Sequence, residues 1–120
     1  ALTADGCIIT NASISNSIIG IRTLIESGAS LDGVVCMGAD HYENEEDKLR
    51  NLKEGVPNIG IGAGSIIKRA IIDKNVRIGA NCRIGIDPRS RPDGEYGNHY
   101  VVDGIIVIPK NVVVDPGTIL

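Results

Sequence analysis

Isoleucine and valine recur every six residues along most of this chain, and that period restricts its fold more than any other feature. A helix is excluded, because six steps of about 100° carry a side chain through about 600° and off the original face. We call these apolar residues anchors. Two steps, Ile14 to Ile19 and Ile67 to Ile72, are five residues long, and segment 14–25 matches segment 67–78 with the short step included. The repeat predicts short, stacked strands.

The third residue after an anchor is often glycine or asparagine. These two residue types enter the left-handed backbone region at the lowest cost. Each strand is therefore predicted to end in a corner with positive φ. The predicted corner residues are Asn11, Gly28, Gly64, Asn75, Asn81, Asn111 and Gly117.

Three strands with their corners make one triangular coil of about eighteen residues, so the anchors fall into three columns. About five coils, stacked ~4.8 Å apart, make a prism roughly 24 Å long. The chain has no Phe and no Trp, which fits a narrow interior. The predicted columns are Ile8, Ile25, Ile61, Ile78, Val114; then Ile14, Leu31, Ile67, Ile84, Leu120; then Ile19, Met37, Ile72, Ile108.

The predicted fold is all-β: a single-stranded left-handed parallel β-helix of hexapeptide repeats. Its hand is taken from hexapeptide proteins, which depart from the usual right-handed crossover. Residues 1–120 are predicted to form one domain with two loop excursions, at about 40–57 and 86–104. The first is charged and is expected to contain a short helical turn around Leu49 and Leu52. Since the chain begins without Met and the repeats reach its last residue, we expect a piece of a longer protein.

Composition argues against several kinds of partner. The net charge of −3 does not favour nucleic acid, and no apolar run approaches the ~18 residues of a membrane span. Cys7, Cys36 and Cys82 lack metal-ligand spacing, so we expect reduced, mostly buried thiols in a cytoplasmic protein. We expect no catalytic residue, no metal ligand and no cofactor in this chain.

Two histidines, His41 and His99, leave one catalytic alternative open. Hexapeptide acyltransferases use a histidine base beside a coenzyme A groove, and either residue is a candidate with acetyl-CoA as donor. Both lie in polar excursions, which favours solvated side chains instead. A γ-type carbonic anhydrase needs three zinc histidines, and two are too few.

Basic residues give the best candidate site. Lys74 and Lys110 each follow an anchor of the third column by two residues, so they are predicted to stack on one corner, one coil apart. Arg22 is assigned to the same column two coils earlier. Stacked ammonium groups repel unless an anion lies between them. The corner is therefore either a phosphate-binding site or a pair of solvated lysines.

Several strings in this sequence are more specific than the hexapeptide repeat: MGADHYE (37–43), IKRAIIDKN (67–75) and DGIIVIPKNVVVDPGTIL (103–120). They resemble the C-terminal domain of glucose-1-phosphate adenylyltransferases, which make ADP-glucose from ATP and glucose 1-phosphate for glycogen or starch synthesis. The resemblance implies an N-terminal catalytic domain with magnesium, not included in this chain. It also implies that the β-helix domain packs on that domain, helps to build a homotetramer and contributes to the binding of phosphorylated effectors.

The family's effector lysines match Lys74 in AIIDKN and Lys110 in VIPKN, and Arg22 in IGIR is a weaker match. The chain departs from photosynthetic members in segment 101–104. Those members resemble a string that ends in a basic residue followed by Ser-Gly, whereas this chain has VVDG there. Three hypotheses stay open: the regulatory and assembly domain of an adenylyltransferase, a free-standing acyltransferase, and a purely structural β-helix.

Overall fold

A computed structural model describes residues 1–86 and 92–120. These residues form a parallel β-helix of short strands with one helix inserted. The strands are β1 Leu2–Thr3, β2 Ile8–Ile9, β3 Ser13–Ser15, β4 Ile18–Ile19, β5 Leu24–Ile25, β6 Ser30–Cys36, β7 Gly60–Ile61, β8 Ile66–Ile72, β9 Arg77–Ile78, β10 Arg83–Ile84, β11 Gly94–Glu95, β12 Tyr100–Val102, β13 Ile105–Ile108 and β14 Val113–Val114; the helix is α1 Glu45–Glu54.

The strands form three faces. The first face is a five-stranded parallel sheet in the order β14-β9-β7-β5-β2. β6 and β8 each run around a corner, so the second and third faces belong to one nine-stranded sheet. On the second face β3 and β10 flank these long strands. On the third face β4 and β13 flank them, and β1 pairs with β4. The predicted three-sided stack is confirmed.

Most of the predicted core columns are confirmed by strand register. Ile25, Ile61, Ile78 and Val114 align on the first face, each at most 2% exposed. Leu31, Ile67 and Ile84 align on the second face, and Ile19, Ile72 and Ile108 lie on the third. All of these side chains point into the narrow interior.

Two predicted anchors are wrong by one residue. Ile9, not Ile8, aligns with Ile25, and Ile8 is 54% exposed. Cys36, not Met37, aligns with Ile72, and Met37 is 45% exposed. The third column needs this correction because the corner between the second and third faces uses a five-residue step in three successive coils: 14 to 19, 31 to 36 and 67 to 72.

The predicted corner residues all have positive φ, from 44° at Asn11 to 81° at Gly28. Arg22 and Arg69 also adopt this conformation, with φ of 57° and 48°. Left-handed backbone disfavours an arginine side chain, so sequence reasoning did not anticipate these two corners.

The first excursion contains the ten-residue helix α1 rather than a short turn. Its first turn is closed by a capping box: Asp47 N donates to Asn44 Oδ1 at 2.8 Å, and Asn44 N donates to Asp47 Oδ2 at 3.0 Å. Gly55 ends the helix in left-handed conformation. Leu49 and Leu52 stay 64% and 80% exposed. Among the described residues, no helix is both long and apolar enough to cross a membrane.

The second excursion adds an antiparallel hairpin to the third face. β11 pairs with β12, and β12 pairs with β13, which itself lies parallel to β8. Residues 87–91 of this excursion lie outside the described residues. The hairpin leaves the parallel stack of β6, β8 and β13 uninterrupted.

Corner glycines differ in what surrounds them, which gives a stability prediction. A Cβ on Gly38 would collide with the backbone oxygen of Ile21, whereas nothing lies within 4 Å of a Cβ on Gly117. Left-handed alanine costs about 1–2 kcal/mol at either site, and Gly38→Ala should lose about 1–3 kcal/mol more because backbone must move. Urea unfolding measures both variants. Gly117→Asn serves as control and should be nearly neutral, since Asn11 and Asn81 hold equivalent corners; equal losses for the two alanine variants would contradict this packing.

Candidate anion-binding site

Lys74 and Lys110 lie one coil apart on the corner between the third and first faces. Each follows a buried third-face anchor by two residues, Ile72 and Ile108, and these anchors are register partners. Asn111 N donates to Lys74 O at 3.0 Å, which fixes the stacking at the corner itself. We call Lys74, Asn75, Lys110 and the facing Asp40 the lysine corner.

The carboxylate of Asp40 lies between the two ammonium groups. Its Oδ1 is 3.3 Å from Lys74 Nζ, and its Oδ2 is 3.9 Å from Lys110 Nζ. Asn75 holds Asp40 in place from both sides, because Asn75 Nδ2 donates to Asp40 Oδ2 and Asp40 N donates to Asn75 Oδ1, each at 2.9 Å. The stacked lysines therefore have a carboxylate between them, as the repulsion argument requires.

The electrostatics of the corner favour an anion. The hydrogen bond from Asn75, followed by that from Lys74, holds the pKa of Asp40 below its usual range. The side chains of Lys74, Asp40 and Lys110 are 43%, 46% and 53% exposed, so solutes reach all three. Ion pairs this exposed add little to stability. The lysine corner is therefore better suited to binding an oxyanion than to holding the fold together.

Arg22 does not occupy the position that the sequence predicted. It follows Ile19 by three residues, which makes it the equivalent of Asn75 and not of Lys74. Arg22 Nε donates to Ala39 O at 2.9 Å. Arg22 thus fixes the residue before Asp40 and reaches the lysine corner through the backbone.

Glu43 anchors the chain on the other side of Asp40. Its side chain is 5% exposed and accepts hydrogen bonds from Ile59 N and Asn51 Nδ2, both at 2.6 Å, and from Arg77 Nη1 at 2.9 Å. Tyr42 Oη adds a 2.6 Å bond to Gly6 O. The segment that carries Asp40 therefore runs between two fixed points, Ala39 and Glu43.

Opposing effects set the pKa of Glu43. Burial raises this pKa. The opposite effect is larger: the pKa is lowered by hydrogen bonds from Ile59, Asn51 and Arg77 and by the charge of Arg77. The pKa therefore lies below the usual value of 4.5. Glu43 is therefore ionised at neutral pH and pairs with Arg77.

The two histidines lie in different environments. His41 is exposed, as predicted. The prediction for His99 is wrong, because this side chain is only 3% exposed. In the turn after β11, Tyr96 stacks on the His99 ring at a centroid distance of 5.5 Å, and Asn98 Oδ1 lies 2.7 Å from its Nδ1. A buried histidine with its ring stacked on a tyrosine is poorly placed as a base for an acyltransferase.

The groove beside α1 and the cysteines are weaker candidates for an anion site than the lysine corner. A groove of about 510 Å³ between α1 and the first face is lined mainly by apolar side chains, including Leu24, Leu49 and Leu52. Within residues 1–86 and 92–120, no three His, Cys, Asp or Glu side chains are grouped so as to hold a metal ion. Cys36 and Cys82 are buried thiols and Cys7 is half-buried.

A family model described as the GLGC left-handed parallel beta-helix domain matches residues 1–119. The chain belongs to this family. The predicted resemblance and the left-handed fold are both confirmed.

One curated relative of this GLGC β-helix domain is the glucose-1-phosphate adenylyltransferase small subunit, chloroplastic/amyloplastic, of Triticum aestivum. The two are 42% identical over an alignment of 118 positions, which covers 97% of this chain and 25% of the relative. The GLGC β-helix domain thus spans about a quarter of the length of the relative it matches. The relative's name places that protein in a plastid, and the cytoplasmic location expected for this chain stays a prediction.

The anchor at Glu43 gives a prediction that depends on pH. Glu43→Gln should destabilise the GLGC β-helix domain by about 1–3 kcal/mol at pH 7, since it leaves Arg77 without its partner charge. Because folding lowers the pKa of Glu43, its contribution is present above pH 4.5 and is lost as pH falls through the folded value. Urea unfolding at pH 7 and pH 3 should show the difference between wild type and variant shrinking in acid.

The control for this prediction is Glu45→Gln, in the exposed first turn of α1, which should change stability by less than about 0.5 kcal/mol at either pH. A constant deficit for Glu43→Gln at both pH values would exclude an ionised Glu43 as the anchor.

Proposed function

We propose that this chain is the regulatory and assembly domain of a glucose-1-phosphate adenylyltransferase and that it binds phosphorylated effectors at Lys74 and Lys110. The observation that carries the proposal is the stack of two lysines around one carboxylate. Arg22 contributes indirectly, by holding Ala39. The resemblance of AIIDKN and VIPKN to the family's effector-lysine motifs also supports this role for Lys74 and Lys110.

The chemistry of the lysine corner suits a phosphoryl group. A phosphate monoester carries about −1.5 to −2 charges near neutral pH and three acceptor oxygens, and each ammonium group offers three donors. A single carboxylate neutralises only one of the two lysines. The contact with Lys110, at 3.9 Å, is also longer than a hydrogen bond. A dianion is therefore a better match for the two lysines than the carboxylate now between them.

The parent reaction belongs to the rest of the enzyme in this proposal. ATP and glucose 1-phosphate become ADP-glucose and diphosphate in an N-terminal nucleotidyltransferase domain with magnesium, and this chain supplies no catalytic residue and no cofactor. The length of the relative, of which this chain covers 25%, supports a further domain of that kind. We expect the isolated chain to make no ADP-glucose.

The outer surface of the third face supports the assembly role. Its outward-pointing residues form a stripe without charge, in register across the coils: Leu2, Ile18, Val35, Ile71, Val107 and Tyr100. The corresponding residues of the second face, beside Ile66, are Ser30 and Arg83. A contiguous apolar stripe is unusual on a monomer, and a two-fold rotation lays a stripe of one chemistry on itself. We assign this face to contact with a second subunit of a homo-oligomer, the homotetramer of the proposal.

Ile71 and Ile66 give a matched test of that contact, since both point outward from β8 but on different faces. Ile71→Glu should shift the chain toward monomer in sedimentation velocity, because it puts a charge in the centre of the stripe. Ile66→Glu should leave the oligomeric state unchanged. Identical sedimentation of Ile71→Glu and wild type would remove the third face from the assembly.

Effector binding is tested by thermal unfolding with inorganic phosphate, fructose 1,6-bisphosphate, 3-phosphoglycerate, AMP and acetyl-CoA. A ligand at ~100 times its dissociation constant should add ~2.7 kcal/mol to stability. We expect a phosphorylated effector to stabilise wild type, and Lys74→Ala and Lys110→Ala to abolish the effect, because each removes one of the two stacked charges. Lys53→Ala, an exposed lysine on α1, is the matched control and should bind as wild type does.

Three outcomes would contradict the proposal. If no phosphorylated ligand stabilises wild type, the purely structural β-helix is favoured. Stabilisation that survives in both lysine variants would place the anion elsewhere on the chain. Stabilisation by acetyl-CoA alone, lost in His41→Ala or His99→Ala, would favour the acyltransferase.

A further inference from the structure

We propose that Asp40 is a built-in competitor for the anion site: its carboxylate occupies the place between Lys74 and Lys110 that a phosphoryl group takes, and must leave when the ligand binds. The inference rests on the proposed function and adds a regulatory device to it. The ligand class is a phosphate or phosphate monoester dianion.

The geometry of Asp40 is that of a ligand rather than of a structural residue. Its two oxygens face different lysines, at 3.3 and 3.9 Å, and one oxygen also accepts from Asn75 Nδ2. An incoming dianion needs the same three donors. A phosphoryl group and the carboxylate cannot share them, because both are negative and would lie within a few ångströms of each other.

Asp40 is also able to leave. Its side chain is 46% exposed, and water can hydrate the displaced carboxylate. Asp73, which precedes Lys74 in the sequence, is held differently, because its Oδ1 accepts a hydrogen bond from the backbone N–H of Lys74 at 2.6 Å. Asp40 is therefore the displaceable anion of the lysine corner.

Displacement of Asp40 affects other parts of the molecule through segment 40–42. Ala39 is held by Arg22 and Glu43 is held by Arg77, Ile59 and Asn51, so the segment 40–42 between them takes up the change. This segment carries Tyr42, whose hydroxyl bonds to Gly6 O in the first coil, and it leads into α1. Anion binding and the position of segment 40–42 are then coupled, and by linkage each biases the other.

The test is isothermal titration of the chain with inorganic phosphate and with fructose 1,6-bisphosphate. Asp40→Asn keeps the size of the side chain and an acceptor for Asn75, but removes the competing charge. It should bind three- to tenfold more tightly than wild type, on the order expected for removing one like charge at ~4 Å in a solvated site. Asp115→Asn makes the same change of net charge on another corner and should change binding less than twofold.

A second readout follows Asp40 itself, through the pH titration of its carboxyl carbon by NMR. Without ligand the pKa should lie below its usual range, and saturating phosphate should raise it as the lysines turn to the ligand. Circular dichroism of each variant verifies the fold.

The outcomes separate this inference from the function on which it rests. Lysine-dependent binding that is equal in wild type and Asp40→Asn, with an unchanged pKa of Asp40, overturns the competitor and leaves the effector site. Weaker binding by Asp40→Asn overturns it too, since Asp40 would then assist the ligand. Absence of binding in wild type and Asp40→Asn alike overturns both the effector site and the competitor.

Discussion

Stacking of equivalent residues at the spacing of one strand is the constraint on which the rest of the molecule depends. In the interior it places isoleucine over isoleucine, as for Ile61 and Ile78, and buries both. On the corners the same stacking brings like charges together. Lys74 above Lys110 is costly unless an anion lies between them, and Asp40 fills that position. One geometric rule therefore creates both the core and the candidate site.

The first excursion completes the site because the stack alone does not supply the anion. Between Cys36 and Ile61 the chain leaves the prism, forms α1 and returns to the first face. The buried side chain of Glu43 holds this excursion in place through its ion pair with Arg77 and its hydrogen bond from Ile59 N. Asp40 is thereby held close to the lysines but still reaches solvent, a combination that suits a side chain that exchanges with a ligand.

The repeat predicted most of the fold and part of the site. Anchor spacing is sufficient for the three columns, but it does not distinguish adjacent apolar residues. It therefore predicts Ile8 and Met37 at positions that Ile9 and Cys36 occupy. The stacking of Lys74 on Lys110 followed from the same spacing. The role of Asp40 did not, since an excursion carries no period and its path depends on tertiary contacts such as that of Glu43 with Arg77. The burial of His99 did not follow from the sequence for the same reason, since it depends on the path of the second excursion, where the Tyr96 ring stacks on His99.

The most direct test of the central claim, that the stacked lysines form one anion site, is an NMR titration of lysine-labelled chain with inorganic phosphate. The sequence has five lysines, so Lys48, Lys53 and Lys68 act as controls within the same molecule. We predict that the signals of Lys74 and Lys110 shift together and saturate at the same concentration, while the other three stay in place. Uniform small shifts of all five lysines, or a shift of only one corner lysine, would contradict a shared site.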